Sequence, residues 1–236
     1  TAYAGIHKAL RAFMADTLQR IGRADPASEA EVHDAVAQLL ELADLCERHV
    51  QHENNFVHPA LEARCPGVAQ PVTDEHEQHL RQIGQLRDAA WAMAGVPVAE
   101  RATALHALYL AVGLFVAENL QHMQVEETCN NAELWSLYSD EELVGIHDRL
   151  LATIGPDEMA LTMRWMAAAL NVQELATLAA QRLPIKCFVI NNQGYASIRA
   201  SQSAHFKLLV GADASSGLQL PDLAQLASAS GVGYAR

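Results

Sequence analysis

Arg48-His49-Val50-Gln51-His52-Glu53 and Glu118-Asn119-Leu120-Gln121-His122-Met123-Gln124-Val125-Glu126-Glu127 each set a His four residues ahead of a Glu. On an α-helix, residues i and i+4 stand one above the other on the same face. One helical turn therefore offers an imidazole and a carboxylate to a single point. Leu39, Leu42, Cys46 and Phe56 share a three-and-four spaced stripe with His49 and Glu53, while Leu105, Leu108, Val112 and Phe115 lead along another to His122 and Glu126. Both polar pairs thus lie in line with a core stripe. A buried, unpaired carboxylate costs on the order of several kcal/mol, so acids pointing inward on two helices imply a compensating cation.

The rest of the first 170 residues reads as helix. Ile6, Leu10, Phe13, Met14, Leu18 and Ile21 give a helical period over residues 2–21, with His7 on or beside the apolar face. Asp25-Pro26 predicts the start of a second helix, which should run to about Val57, because His58 precedes Pro59 and the α region is disfavoured there. Residues 65–71 read as a loop. A third helix is expected from Thr73 through His76 to Ala94, and a fourth from Val98. Ser139 followed by Glu142 has the form of a capping box opening a further helix to Ile154, and Gly155-Pro156 opens another through Leu170. Short connections between four long helices predict an up-down bundle with extra C-terminal helices.

Charge and cysteine content narrow the function. The 236 residues carry a formal net charge of −12, which disfavours nucleic acid and anionic membrane surfaces as partners. Metal cations and small molecules fit better. Cys46, Cys65, Cys129 and Cys187 form no CxxC pair, so neither a zinc knuckle nor a disulfide framework is expected, and the reading is cytoplasmic. Ala107 to Ala117, the longest uninterrupted apolar run, is too short to span a bilayer. Thr1 opens the chain without Met or a signal-like segment, as expected of a fragment.

The metal-ligand candidates are His7, His49, Glu53, His76, His122 and Glu126: one His on each of four helices, with a carboxylate one turn on from two of them. A lone helical His is more often a satisfied surface or core residue. The joint occurrence of two HxxxE units, each aligned with an apolar stripe, is what distinguishes this set. Imidazole and carboxylate without thiolate suit a non-haem di-iron centre, with manganese or zinc as alternatives. No catalytic residue is assigned, and the reading is of a binding protein rather than an enzyme.

These residues carry a resemblance. His7 with Leu10-Arg11, His49-x-x-x-Glu53 with Pro59-Ala60-Leu61, Glu75-His76, and His122-x-x-x-Glu126-Glu127 resemble the haemerythrin-like (HHE cation-binding) family over residues 1 to about 168. The resemblance implies a four-helix bundle around a bridged pair of iron ions, with the four histidines as nitrogen ligands and Glu53 and Glu126 as bridging carboxylates. It further implies O2 or a related diatomic or peroxide ligand, or a role in iron sensing or handling. Oxygen-carrying members have a further ligand histidine one turn beyond the one matched by His76. Here Leu80 stands in that place and His79 is one residue early.

Past residue 170 the character changes. Residues 1–170 hold 25 of the 28 acidic residues, and the remainder is mildly basic. A helix at 172–182, a strand at 185–190, an Asn-Asn-Gln-Gly turn and helices near 196–209 and 221–230 predict a small partial α/β segment. Residues 171–236 resemble the C-terminal domain of thiamine-diphosphate enzymes of the acetolactate synthase class, through Asn191-Asn192-Gln193-Gly194-Tyr195 and Leu183-Pro184-Ile185-Lys186. That resemblance implies Asn192 and Gly194 as cofactor contacts. The family's Gly-Asp-Gly is absent from this chain, so the Mg2+ would lack its carboxylate ligand and the alternative reading is an inactive remnant or subunit of a lyase or synthase.

Overall fold

A computed structural model describes residues 3–171, together with 173–175, 202–203, 214–216, 224–225 and 228. The chain divides after Leu170. The first part is all helix: α1 (Ala4–Arg23), α2 (Glu29–His52), α3 (His58–Arg64), α4 (Gln70–Ala92), α5 (Val98–Val125), α6 (Asn131–Leu137), α7 (Asp140–Leu151) and α8 (Pro156–Ala169). Helix α1 packs on α2 and α5, α2 on α4, and α4 on α5, which closes an up-down four-helix bundle. Among the described residues there is no strand. The strand at 185–190, Asn192 and Gly194 lie outside the described residues, as do nearly all positions of the helices expected beyond 171.

Several helix boundaries differ from expectation: α4 ends at Ala92 rather than Ala94, α7 at Leu151 rather than Ile154, and three further differences have a clear local cause. Asp25-Pro26 does not open α2: Asp25 accepts from the Ala27 amide in a turn, and Ser28 is the cap, its hydroxyl accepting from the Glu31 amide. Helix α4 starts at Gln70 rather than Thr73, with Pro71 in its first turn, where a missing N–H costs nothing. Nor does the second helix end before Pro59. Residues Glu53–Val57 form a π turn in which the His58 amide donates to the Glu53 carbonyl five residues back, and α3 follows directly. The capping box at Ser139 and Glu142 forms as the sequence predicts.

The π turn occurs twice. Glu126–Asn130 is a second one, closed by the Asn131 amide on the Glu126 carbonyl, and a seven-residue helix follows each turn. The bundle is therefore two copies of one plan: a helix bearing a His, then a helix ending in HxxxE, then a π turn, then a short helix. One copy is α1 to α3 and the other α4 to α6, joined by a loop where Gly67 takes φ +88°. A side chain at that φ is strained, which suits glycine.

Two apolar clusters build the core. The larger includes Leu10, Phe13, Leu39, Cys46, Ile83, Val112 and Phe115; the smaller is Tyr3, Val57, Leu61, Ala69, Val72 and Leu134. In chain order His7 falls between Tyr3 and Leu10, Glu53 between Cys46 and Val57, His76 between Val72 and Ile83, and Glu126 between Phe115 and Leu134. A polar layer is thereby held between apolar ones. Helix α8 lies along α1, its Trp165 stacked on Phe13 with ring centroids 4.2 Å apart, and Glu158 pairs with Arg48 of α2 at 3.2 Å. Together α5, the second π turn and α6 form a continuous helix, Val98–Leu137, long and apolar enough by length and composition to cross a membrane. In the bundle its inner face carries His122 and Glu126.

Candidate metal centre

The bundle brings all six side chains singled out in the sequence into one layer. Two groups form: His7, His49, Glu53 and Glu126, and Glu53, His76, His122 and Glu126, the donor atoms of each lying within 4.8 Å of one another. The two carboxylates belong to both groups and divide their oxygens between them. Glu53 turns Oε1 toward His7 (3.7 Å) and His49 (3.3 Å), and Oε2 toward His76 (3.4 Å). Glu126 turns Oε2 toward His7 (3.4 Å), and Oε1 toward His76 (3.7 Å) and His122 (3.3 Å).

Acceptors behind the rings aim three of the imidazoles. His76 Nδ1 donates to Asn54 Oδ1 (2.7 Å), His122 Nδ1 to Glu75 (2.6 Å) and His7 Nδ1 to Glu127 (3.0 Å), which Arg11 holds in turn at 2.5 Å. Asn54 and Glu127 each directly follow the shared carboxylate of their π turn. The extra residue in that turn lets two successive side chains serve the same layer, one facing the centre and the next bracing a histidine of the other half. An Nδ1–H donor leaves Nε2 with a lone pair, the form in which imidazole binds metals.

Burial sharpens the electrostatics. Glu53 and Glu126 are 3% and 0% exposed. Burial favours their protonated forms, yet His49, His7 and His76 hold the Glu53 carboxyl well below its usual range. His122 and His76 likewise lower Glu126 despite burial and the adjacent Glu53 charge. Burial would also lower His76, but Glu126 and Glu53 raise it to about 9; His122 is raised against burial by Glu126 and Glu75. His49, with burial dominant over Glu53, is pushed down to about 4.

This arrangement fits cations. All four oxygens of Glu53 and Glu126, with Nε2 of His7 and His49, are buried without a hydrogen-bond partner among the described residues. So many orphaned acceptors in one spot are costly unless a positive ion satisfies them. The donor set is nitrogen and oxygen with no thiolate, which suits iron or manganese and also admits zinc.

Two further histidines belong to this layer. His58 stacks on His76 at 4.7 Å and shares a 3.1 Å hydrogen bond with Thr73, while His79 stands edge-on to His122 at 4.8 Å. Both are buried, and burial lowers both pKa values, His79 to about 4. Their donor atoms are not among those that converge. His79 was legible as the i+3 neighbour of His76 on one face; His58 was not, because only the π turn carries it inward. Leu80 is half-buried and His79 takes the inward position.

A four-helix bundle enclosing a thiolate-free layer of imidazoles and shared carboxylates defines a cation-binding protein. Residues 2–128, more than half of the chain and including all six side chains, match the Hemerythrin HHE cation binding domain, and the chain belongs to that family. Residues 167–236 match the C-terminal TPP-binding domain of thiamine pyrophosphate enzymes. No curated protein matches the chain.

Proposed function

We propose that His7, His49, Glu53 and Glu126 hold one iron ion and that His76, His122, Glu53 and Glu126 hold a second. Manganese and zinc are the other ions this donor set accepts. The observation that carries the reading is the division of oxygens: each carboxylate offers one oxygen to one histidine group and the other oxygen to the second. Bound iron supplies a redox-active Lewis acid to which O2 or a related small oxidant can attach. The chain's own residues aim lone pairs inward, neutralise the ionic charge and exclude water with apolar clusters on both sides. Leu80, where oxygen carriers have a histidine, favours small-oxidant binding or iron sensing and handling over reversible oxygen carriage. Four widely spaced cysteines with no CxxC pair favour a cytoplasmic setting. Metal analysis of freshly purified protein, with the ligand-to-iron charge-transfer absorption, tests the proposal. Near two irons per chain are expected, with absorption lost in the Glu53→Ala, Glu126→Ala double variant. A fully folded chain that takes up no iron would count against it.

The match of residues 167–236 to a thiamine pyrophosphate-binding domain favours a second, lesser reading. Asn192 would be a ligand of the Mg2+ that grips the diphosphate, with Gly194 beside it in the cofactor site. Without Gly-Asp-Gly, that Mg2+ site has no carboxylate and should bind poorly. Titration with thiamine diphosphate and Mg2+ is expected to give no heat at millimolar cofactor.

A further inference from the structure

The two halves of the bundle are alike in their ligands but not one turn further out. Four residues before His7 stands Tyr3, and four residues after Glu126 stands Asn130; the corresponding positions around His76 and Glu53 are Val72 and Val57. All four side chains are buried, with Tyr3 1% and Asn130 4% exposed. On the α2–α4 side the layer is closed by two valines. On the α1–α5 side it is closed by a phenol and a carboxamide.

Those two polar groups have at most each other. Tyr3 Oη and Asn130 Nδ2 have no other hydrogen-bond partner among the described residues, and the Tyr3 ring lies 5.2 Å from that of His7. Burial, with Glu53 and Glu126 both near enough to oppose its ionisation, keeps the phenol protonated against the Asn130 amide, which is within reach to donate to the phenol oxygen. Even with one amide N–H turned to the phenol oxygen, the phenol hydrogen and the second amide N–H lack acceptors, which is costly in a buried site, and a cation cannot satisfy a donor. A lone-pair atom belonging to something else can.

We infer that Tyr3 and Asn130 are hydrogen-bond donors that receive and orient the terminal acceptor atom of a small anionic ligand, of the azide or hydroperoxide class, bound to the metal pair from the α1–α5 side. The inference rests on the di-metal reading above and adds a direction of approach and two recognising residues. The valine side offers a ligand no such donor: its buried imidazole, His58, spends its Nδ1 proton on Thr73, whose own hydroxyl donates to the Ala69 carbonyl.

The test uses the full-length, iron-loaded protein and azide, titrated by absorption, in wild type and in Tyr3→Phe and Asn130→Leu variants. Tyr3→Phe removes only the hydroxyl. It should leave iron content unchanged and the melting temperature of metal-free protein nearly unchanged, since the lost hydroxyl hydrogen has no acceptor and only the contact with the Asn130 amide goes with it. Azide affinity should fall roughly tenfold to a hundredfold, the range for a hydrogen bond to a charged partner. Asn130→Leu should weaken azide in the same direction, and Val72→Ala on the opposite side should not. Equal azide affinity in wild type and Tyr3→Phe at equal iron content, or no azide binding by either, overturns the inference and leaves the di-metal reading standing. Wild-type protein that takes up no iron overturns both.

Discussion

His76 and His122 point their Nε2 atoms at each other across 2.9 Å while Nδ1 of each is already committed to an acceptor, Asn54 and Glu75 respectively. Two neutral rings so held would oppose lone pair to lone pair. A proton or a metal ion between them removes the conflict. Metal-free protein is therefore expected to keep a proton there, in keeping with a His76 pKa raised, against burial, to about 9 by Glu126 and Glu53. That contribution to stability is fully present below pH about 6.5 and fades as pH rises through about 9, by at most roughly 3 kcal/mol. Urea denaturation of metal-free protein across this window should show the decline, and metal-loaded protein should not. Iron uptake near neutral pH should release protons, measurable by pH-stat.

Shared and unshared ligands should give different metal contents. Glu53 and Glu126 each serve both positions, so Ala at either one should deplete both ions. His49 serves one group only, so His49→Ala should leave the His76–His122 position loaded and halve the metal content. Elemental analysis of the three variants decides this, and equal depletion in all three would contradict the division into two positions.

Residues that brace the imidazoles should matter without touching metal. Asn54→Ala frees His76 and Glu127→Ala frees His7, each with an expected loss of about tenfold to a hundredfold in metal affinity. Competition with a chelator of known affinity measures it. The corresponding pair Asn55→Ala and Thr128→Ala, one position further along each π turn, should have little effect.

Helix α8 is fastened to the bundle through Trp165 on Phe13, Leu161 against the core and the Arg48–Glu158 pair. Trp165→Ala should cost about 2 kcal/mol, less than a fully buried aromatic because the indole is only half-buried. Iron content should be unchanged, since α8 supplies no ligand. Thermal denaturation alongside metal analysis separates the two effects.

Much of this was legible in the residues. The two HxxxE units named their own helices because i and i+4 coincide in an α-helix, and the stripes Leu39–Leu42–Cys46 and Leu105–Leu108–Val112 told which face turned inward. Ser139 and Glu142 announced α7 through a reciprocal bond that depends on local sequence alone. The π turns were not legible. A π turn inserts one residue into a register fixed by contacts on both flanks, and His58-Pro59 reads locally as a stop although His58 keeps helical angles of φ −61° and ψ −44°. With the turns went the bracing roles of Asn54 and Glu127 and the inward placing of His58. The start of α2 was misread for a different reason: Asp25-Pro26 suits a turn as well as a cap, and Ser28, three residues on, made the better cap.

The repeated plan of helix, HxxxE helix, π turn and short helix means that neither half owns a complete coordination sphere for any ion. Each contributes two imidazoles and one carboxylate, and the carboxylate of one half converges with the histidines of the other. On the proposed two-ion reading, the ions would act as rivets between two half-proteins. Chelation should part the halves before it melts either one, and a chain cut in the loop at Gly67 should come back together only when metal is supplied.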